Sequence, residues 1–268
     1  MGFLTDLVGT IRRDLDERPL DVAGLRRAAD ARPPARRFAD ALRIGSRPSV
    51  IAEVKRASPS AGAIDEAADP GATARAYEAG GAAAVSVLTE TRHFHGSLDD
   101  LSGIREVVDL PLLRKDFVVD AGQVLESRAA GADSLLLIAS CLSPAALEEL
   151  IAASRSLGME PLVETHSDDD LDIVLATDAQ VIGVNARDLE TLEVDVRAAL
   201  RRLGRIPTDR VAVLESGIRS RDDVERAVGA GAVAVLVGEA LMRARDPAEK
   251  IRELLDPGAP LARGTATA

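Results

Sequence analysis

The sequence predicts a closed barrel of eight parallel β-strands alternating with helices, a (β/α)8 TIM barrel with a helical N-terminal extension. Three observations carry that prediction. From residue 49 onward, eight short β-branched or leucine-rich runs alternate with longer amphipathic stretches. Strands separated by helices imply parallel pairing, and eight such units favour closure. The 268 residues match the roughly 250 that such a barrel needs. An internal echo, AGGAAAVSV at 79–87, AGADSLLL at 130–137 and AGAVAVL at 230–236, repeats a small-residue turn before an apolar strand. Glycine there predicts a left-handed helix end. An open doubly wound sheet uses the same turns, but no GxGxxG follows the first run.

In chain order, residues 1–47 form the extension. Leu4, Leu7, Val8 and Ile11 recur at helical spacing, and Phe38, Leu42 and Ile44 follow a Pro33–Pro34 break. The extension is expected across one barrel end, with the arginines of the first 45 residues as a solvated helix face. Residues 48–256 are the barrel. Its strands are predicted at 49–55, 84–88, 111–115, 134–139, 161–164, 181–185, 211–215 and 233–238. Helix-like segments between them include 69–79, 121–130, 144–157, 168–175 and 221–228. Residues 257–268, rich in Pro, Gly, Ala and Thr, are expected to be disordered.

A hydrophobic fraction of 46% is ample for the core of such a domain. No stretch approaches the roughly 18 apolar residues of a membrane span, and no signal-peptide pattern opens the chain. The single cysteine, Cys141, excludes an intramolecular disulfide and fits a reducing compartment, so a cytoplasmic protein is expected. A net charge of −11 argues against nucleic-acid and anionic-membrane partners. An anionic ligand must then meet a local cluster of cations. Of 33 basic residues only Lys55, Lys115 and Lys250 are lysine, and Asn185 is the single asparagine. Where arginine serves every generic positive charge, a retained lysine marks a place where proton exchange matters.

Barrel active sites sit at the C-terminal strand ends, and side chains two apart point the same way. Glu53 and Lys55 end the first strand, Lys115 the third, with Phe117 two residues on. Glu164 ends the fifth, Asn185 the sixth, and Glu215 with Ser216 the seventh. Charged residues inside a closed barrel are costly unless paired or functional. Glu53–Lys55 as a buried pair that only fixes register is the bland alternative, and the repetition around the ring weighs against it. Such a ring offers a general acid, a general base and stabilisation of an oxyanion. Ser216-Gly217 and Gly238-Glu239 occupy the loops after strands seven and eight, where barrels bind phosphate. His93 and His95 read as a surface loop without a third metal ligand. His166 reads equally well as a loop residue, and Cys141 as a small buried hydrophobe.

These motifs resemble indole-3-glycerol-phosphate synthases of tryptophan biosynthesis over nearly the whole chain. The matching pieces are IAEVKRASPS (51–60), SVLTETRHFHGS (86–97), LLRKDFVVD (112–120), LVETH (162–166), IGVNARDLETLEVD (182–195), ESGI (215–218) and VLVGEALM (235–242). The resemblance implies a carboxy-lyase that closes 1-(2-carboxyphenylamino)-1-deoxyribulose 5-phosphate to indole-3-glycerol phosphate, with no cofactor and no metal. It implies Lys115 as the general acid and Glu164 as an acid/base for dehydration, without deciding which lysine or glutamate serves each step. It places Glu53, Asn185, Glu215 and Ser216 around the reacting centre. Lys55 would meet the carboxylate or phosphate side. Ser58, Gly217, Gly238 and Glu239, with Arg187, would hold the anionic groups. Phe94, Phe117 and Leu189 would sandwich the aromatic ring. Departures from the family pattern are Ala61 for a lysine, Ala186 for a second asparagine, and Ala121-Gly122 for Pro-Tyr. None removes a proton-transfer group. A monomer acting on a small phosphorylated substrate is expected.

Two rivals remain at this stage. One is another phosphate-binding barrel, such as phosphoribosylanthranilate isomerase or the tryptophan synthase α subunit. The isomerase reaction would call for a Cys/Asp pair on strand ends, where this chain has lysines. A barrel that only binds a phosphorylated ligand need not keep Lys115 and Glu164 together.

Overall fold

The alternation of apolar runs is realised as a closed ring of parallel strands in the computed structural model, which describes residues 2–44 and 48–255. The strands are β1 Ser49–Val54, β2 Ala84–Leu88, β3 Leu112–Lys115, β4 Ser134–Ile138, β5 Leu162–Thr165, β6 Val181–Asn185, β7 Val211–Glu215 and β8 Ala234–Val237. Each pairs with its sequence neighbours, and β1 closes the ring on β8 through Ser49–Ala52 against Ala234–Val237. All eight predicted strands form, within a residue or two at each end. The expected tail at 257–268 and the junction at residue 47 lie outside the described residues.

Period-two alternation divides every strand between two cores. Ile51, Ala84, Leu113, Leu136, Leu162, Val181, Val213 and Leu236 fill the barrel interior. Their sequence neighbours Ala52, Val85, Leu112, Leu135, Val163, Ile182, Leu214 and Val235 face outward and are covered by helices. Helix ends follow the expected chemistry. Asp69 caps α4 (Pro70–Gly80), Asp120 caps α6 (Ala121–Ala130) and Ser143 caps α7 (Pro144–Ser156), each accepting a backbone N–H. The three echoed turns use left-handed Gly81, Gly131 and Gly231, with φ of 91°, 99° and 104°.

The extension departs from expectation. It spans both barrel ends, because α1 (Phe3–Glu17) and α3 (Phe38–Arg43) are separated by a run down the side. At the C-terminal end α1 buries Leu4, Leu7 and Val8 in one cluster with Phe117, and Arg12 donates to the Cys141 carbonyl at 3.3 Å. Along the side, α2 (Val22–Asp30) lies against α6. At the other end Phe38 and Leu42 close the barrel floor, where Ser49 Oγ donates to the Leu42 carbonyl at 2.9 Å. Ile44 ends α3 exposed instead of joining that core.

Several extension arginines are also not a solvated face. Arg32 Nε donates to the Ala129 carbonyl at 2.9 Å, and Arg36 reaches the Leu110 carbonyl at 3.2 Å and Asp109 at 2.9 Å. They pin the extension because helix-terminal and loop carbonyls of the barrel otherwise lack donors.

Candidate active site

Interior parity decides which polar residues reach the barrel mouth. Glu53 lies two residues past Ile51, Lys115 two past Leu113, Glu164 two past Leu162, and Glu215 two past Val213. Each therefore leaves the apolar interior layer on the same face, one layer higher. Arg114, one residue from Lys115, points outward to Asp116, Glu126 and Ser127. Adjacent cations thus have opposite fates, arginine in the wall and lysine in the mouth.

The mouth is a cavity of about 870 Å³. All fifteen residues singled out from the sequence line it: Glu53, Lys55, Ser58, Phe94, Lys115, Phe117, Glu164, Asn185, Arg187, Leu189, Glu215, Ser216, Gly217, Gly238 and Glu239. Its centre is Lys115, whose Nζ lies 2.5 Å from Glu164 Oε2 and 3.0 Å from Glu215 Oε2. Asn185 Nδ2 donates to Glu164 Oε1 at 3.1 Å, and Ser216 Oγ donates to Asn185 Oδ1 at 2.8 Å. On the β1 side Lys55 Nζ is 2.9 Å from Glu53 Oε1, and Ser86 Oγ contacts Glu53 Oε2 at 3.4 Å.

Burial and charge act against each other here. Burial alone would lower the Lys115 pKa, but Glu164, Glu215 and Glu53 outweigh it and hold the ammonium protonated well above its ordinary range. Burial would raise Glu164, yet Lys115 and His166 pull it well below the usual carboxylate range. Glu215 goes the other way: burial and the neighbouring Glu164 charge raise it well above that range. Neither Glu215 oxygen accepts an aligned hydrogen bond despite the nearby ammonium. Two carboxylates on one ammonium are therefore pushed in opposite directions, Glu164 down and Glu215 up. Environments that separate pKa values in this way define acid and base roles.

Two further features shape the cavity. Phe94 and Phe117 line the cavity with ring centroids 6.3 Å apart and planes tilted by 43°, a pair in contact with itself, not two walls open to sandwich a ring. Phe94 is held by buried Glu90, which accepts the backbone N–H groups of Arg92, His93 and Phe94 at 2.9, 2.7 and 3.1 Å. The loop after β7 turns through two left-handed residues, Ser216 (φ 66°) and Gly217 (φ 79°). It leads into α10 (Arg221–Gly229), whose capping box joins Ser220 and Asp223.

Arg187 lies in the lining, but its Nη1 donates to the Leu192 carbonyl at 2.7 Å within its own loop. Ser58 sits on a two-stranded hairpin, Ala57–Ser58 with Gly62–Ala63, that the sequence did not suggest. Arg219, Arg243 and Lys250 also line the cavity. Their signal was available for Lys250, the third retained lysine, which was not placed on a strand end. His166, which the sequence leaves equally open to the site and to a loop, has its Nε2 2.9 Å from Glu164 Oε1. His93 and His95 lie on the loop after β2, near Glu90 and Glu66 respectively. Cys141 is partly buried against the interior cluster, and burial pushes its thiol up to about 12.

A closed parallel barrel with a lysine held between two carboxylates at its C-terminal end is a barrel enzyme built for acid–base chemistry. Solved structures agree on the fold: 3-hexulose-6-phosphate synthase superposes with a TM-score of 0.61 at 16% identity, covering 77% of this chain and 97% of that one. Thiamine phosphate pyrophosphorylase from Pyrococcus furiosus gives 0.58, again at 16% identity, over 77% and 93% of the two chains. The chain belongs to the indole-3-glycerol phosphate synthase family, whose model matches residues 4–254. It is 47% identical over 260 residues to the indole-3-glycerol phosphate synthase of Mycobacterium avium, covering 95% of this chain and 94% of that protein. It is 46% identical to the Rhodococcus opacus enzyme, over 97% of each chain. Indole-3-glycerol phosphate synthase 1 of Streptomyces coelicolor is 48% identical, over 96% of each.

Proposed function

We propose that this carboxy-lyase closes 1-(2-carboxyphenylamino)-1-deoxyribulose 5-phosphate to indole-3-glycerol phosphate, releasing CO₂ and water, with Lys115 as the general acid. The observation that carries the reading is the Lys115 ammonium between Glu164 and Glu215 in a cavity lined by an aromatic pair. The carboxyphenyl ring packs on the apolar surface of Phe94 and Phe117, with Leu189 beside them. The ring carbon that bears the carboxylate attacks the ketone carbon, and Lys115 protonates the carbonyl oxygen as it becomes a hydroxyl. Loss of CO₂ restores the electron pair to the ring. Glu164 then takes a proton from the methylene carbon next to the ring nitrogen and passes it to the hydroxyl, which leaves as water as the carbon–carbon double bond forms. Asn185 and Glu53 orient the ketone end, with Ser216 fixing Asn185.

The phosphate fits the backbone N–H groups of Gly217, Gly238 and Glu239, with Ser58 and Lys55 at the β1 side and Arg187 opposite. A helix start and a left-handed turn both present such donors. The departures at Ala61 and Ala186 lie outside the proton-transfer set.

Among the described residues no helix is long and apolar enough to cross a membrane. With the acidic charge, this supports a cytoplasmic enzyme that binds neither nucleic acid nor membrane. The exposed large hydrophobics among the described residues, Val22, Ile44, Val107, Val194 and Val228, lie on separate segments of the chain, which supports a monomer.

The test follows indole fluorescence when the carboxyphenylamino substrate is added. The chain has no tryptophan, so background is low. Wild type turns over, and Lys115→Ala loses about 10³-fold in kcat, within the range for a general acid, with its circular dichroism unchanged. Binding without turnover in wild type defeats the enzymatic reading.

A further inference from the structure

The carboxylate of Glu164 has one neighbour that the proposed chemistry leaves unused. Thr165 turns its hydroxyl outward to the Gly183 carbonyl at 2.9 Å, so His166 returns to the mouth side, two residues past Glu164. The imidazole is almost wholly enclosed, with its Nε2 2.9 Å from Glu164 Oε1. Neither ring nitrogen has an aligned hydrogen-bond partner, so the ring is a buried polar group whose nearest charge is the catalytic carboxylate.

Its backbone is not free to drift. The N–H groups of His166 and Ser167 both donate to Asp170 Oδ2, at 2.9 and 3.0 Å, and Ser167 Oγ accepts from the Asp170 backbone N–H at 3.0 Å. This capping box opens α8 (Asp168–Ala176) and fixes the imidazole over the β5 end.

We propose that His166 is a positioning residue for the base: it steadies Glu164 Oε1 together with Asn185 and keeps that carboxylate ionised while Lys115 holds Oε2. The inference rests on the proposed reaction, in which Glu164 must be ionised to take a proton.

The charges around the pair come from every side. Lys115 on β3 and Glu215 on β7 face Glu164 within the mouth. Cys141, in the turn after β4, feels both Glu164 and Asp170. Asp188, in the loop after β6, feels His166. Lys115 and the Asn185 amide otherwise hold Glu164 ionised against burial and against Glu215. An imidazole 2.9 Å from Oε1 adds to them, and the effect is read in the pH dependence of turnover. Because Glu164 is held low, it is ionised at all pH values above its folded-state pKa and turnover falls only as pH drops through it. Removing His166 raises that pKa, so the acid limb of the kcat profile moves to higher pH.

The experiment is the kcat–pH profile of wild type, His166→Leu and His166→Gln with the carboxyphenylamino substrate, alongside KM and thermal midpoints. For His166→Leu the acid limb moves up by about one pH unit, the scale of losing one close opposite charge or donor. Its kcat falls about tenfold, the low side of what a mispositioned catalytic group costs, while KM changes less than threefold. His166→Gln keeps an N–H donor and falls between the two. It also carries the test if the leucine variant does not fold. An acid limb at the wild-type position in the glutamine and leucine variants overturns the proposal, whatever their thermal midpoints. Absence of wild-type turnover refutes the proposed reaction instead.

Discussion

A methyl group added at Gly183 would stand 2.2 Å from Oε1 of Glu215, a distance that no carbon–oxygen contact tolerates. Gly238 stands in the same relation to Glu53 Oε1, at 2.6 Å. The ring of carboxylates fits only because the neighbouring strand offers a bare Cα at each place. Gly183→Ala should therefore push the Glu215 carboxylate off Lys115 with little cost to the barrel, since the obstacle is the end of a side chain. A misplacement of about 1 Å near reacting groups can cost up to ~10²-fold. The expected result is a kcat at least tenfold lower, with the thermal midpoint nearly unchanged. Wild-type kcat in that variant would show that the Glu215 position is not critical. Residue-level legibility follows from the same geometry. Glu53, Lys115, Glu164, Asn185 and Glu215 could be read from the sequence because strand ends and period two dictate where they point. His166 could not, because whether a residue past the strand turns back to its neighbour depends on the capping box that follows.

At the scale of elements, the loops after β5 and β7 use one device twice. Ser167–Asp170 and Ser220–Asp223 are reciprocal capping boxes that tie a strand end at the barrel mouth to the following helix. Asp223 Oδ2 accepts the Arg219 and Ser220 backbone N–H groups, both at 2.9 Å, and the Ser220 hydroxyl at 3.0 Å. Partial burial would raise the Asp223 pKa, but these donors and Arg226 lower it overall. A lowered folded-state pKa means that the stabilisation is complete above the unfolded value, about 3.9, and is lost as pH falls through the folded one. Asp223→Ala should thus cost about 1 kcal/mol at neutral pH, as for other helix caps. Denaturant titrations at neutral pH and below pH ~3 should show that difference shrinking with acid. A difference independent of pH would mean that the carboxylate charge contributes nothing. Because the same box holds the Ser216–Arg219 loop, KM should rise in this variant more than kcat falls. Ser-x-x-Asp is visible at both places in the sequence. What that pattern leaves open is the path of long connections. The extension shows this, since Leu4, Leu7 and Val8 look the same whether α1 lies over the mouth or the floor.

For the molecule as a whole, two electrostatic scales compete over an anionic substrate. The net charge of −11 repels it, and on that ground added salt should raise kcat/KM. The cavity lining has a different balance, with six acidic residues (Glu53, Asp116, Glu164, Glu215, Asp223, Glu239) and six basic ones (Lys55, Lys115, Arg187, Arg219, Arg243, Lys250). The excess negative charge therefore lies on the remaining surface. Glu164 and Glu215 are buried against Lys115, which leaves four acidic and five basic residues in the rest of the lining, a balance tilted toward cations. Arg219 and Arg243 stand closest to water on the side of the proposed phosphate loops. Charges more than about 10 Å apart are largely screened at 0.1 M salt, so a substrate at the mouth feels these cations more than the distant acidic surface. Raising salt from about 0.02 to 0.3 M should therefore lower kcat/KM, by about two- to fivefold, with kcat little changed. Arg219→Gln should weaken that dependence while leaving kcat intact. A kcat/KM that climbs with salt would mean that the global charge governs capture, and that the cations in the lining act only after the substrate has arrived.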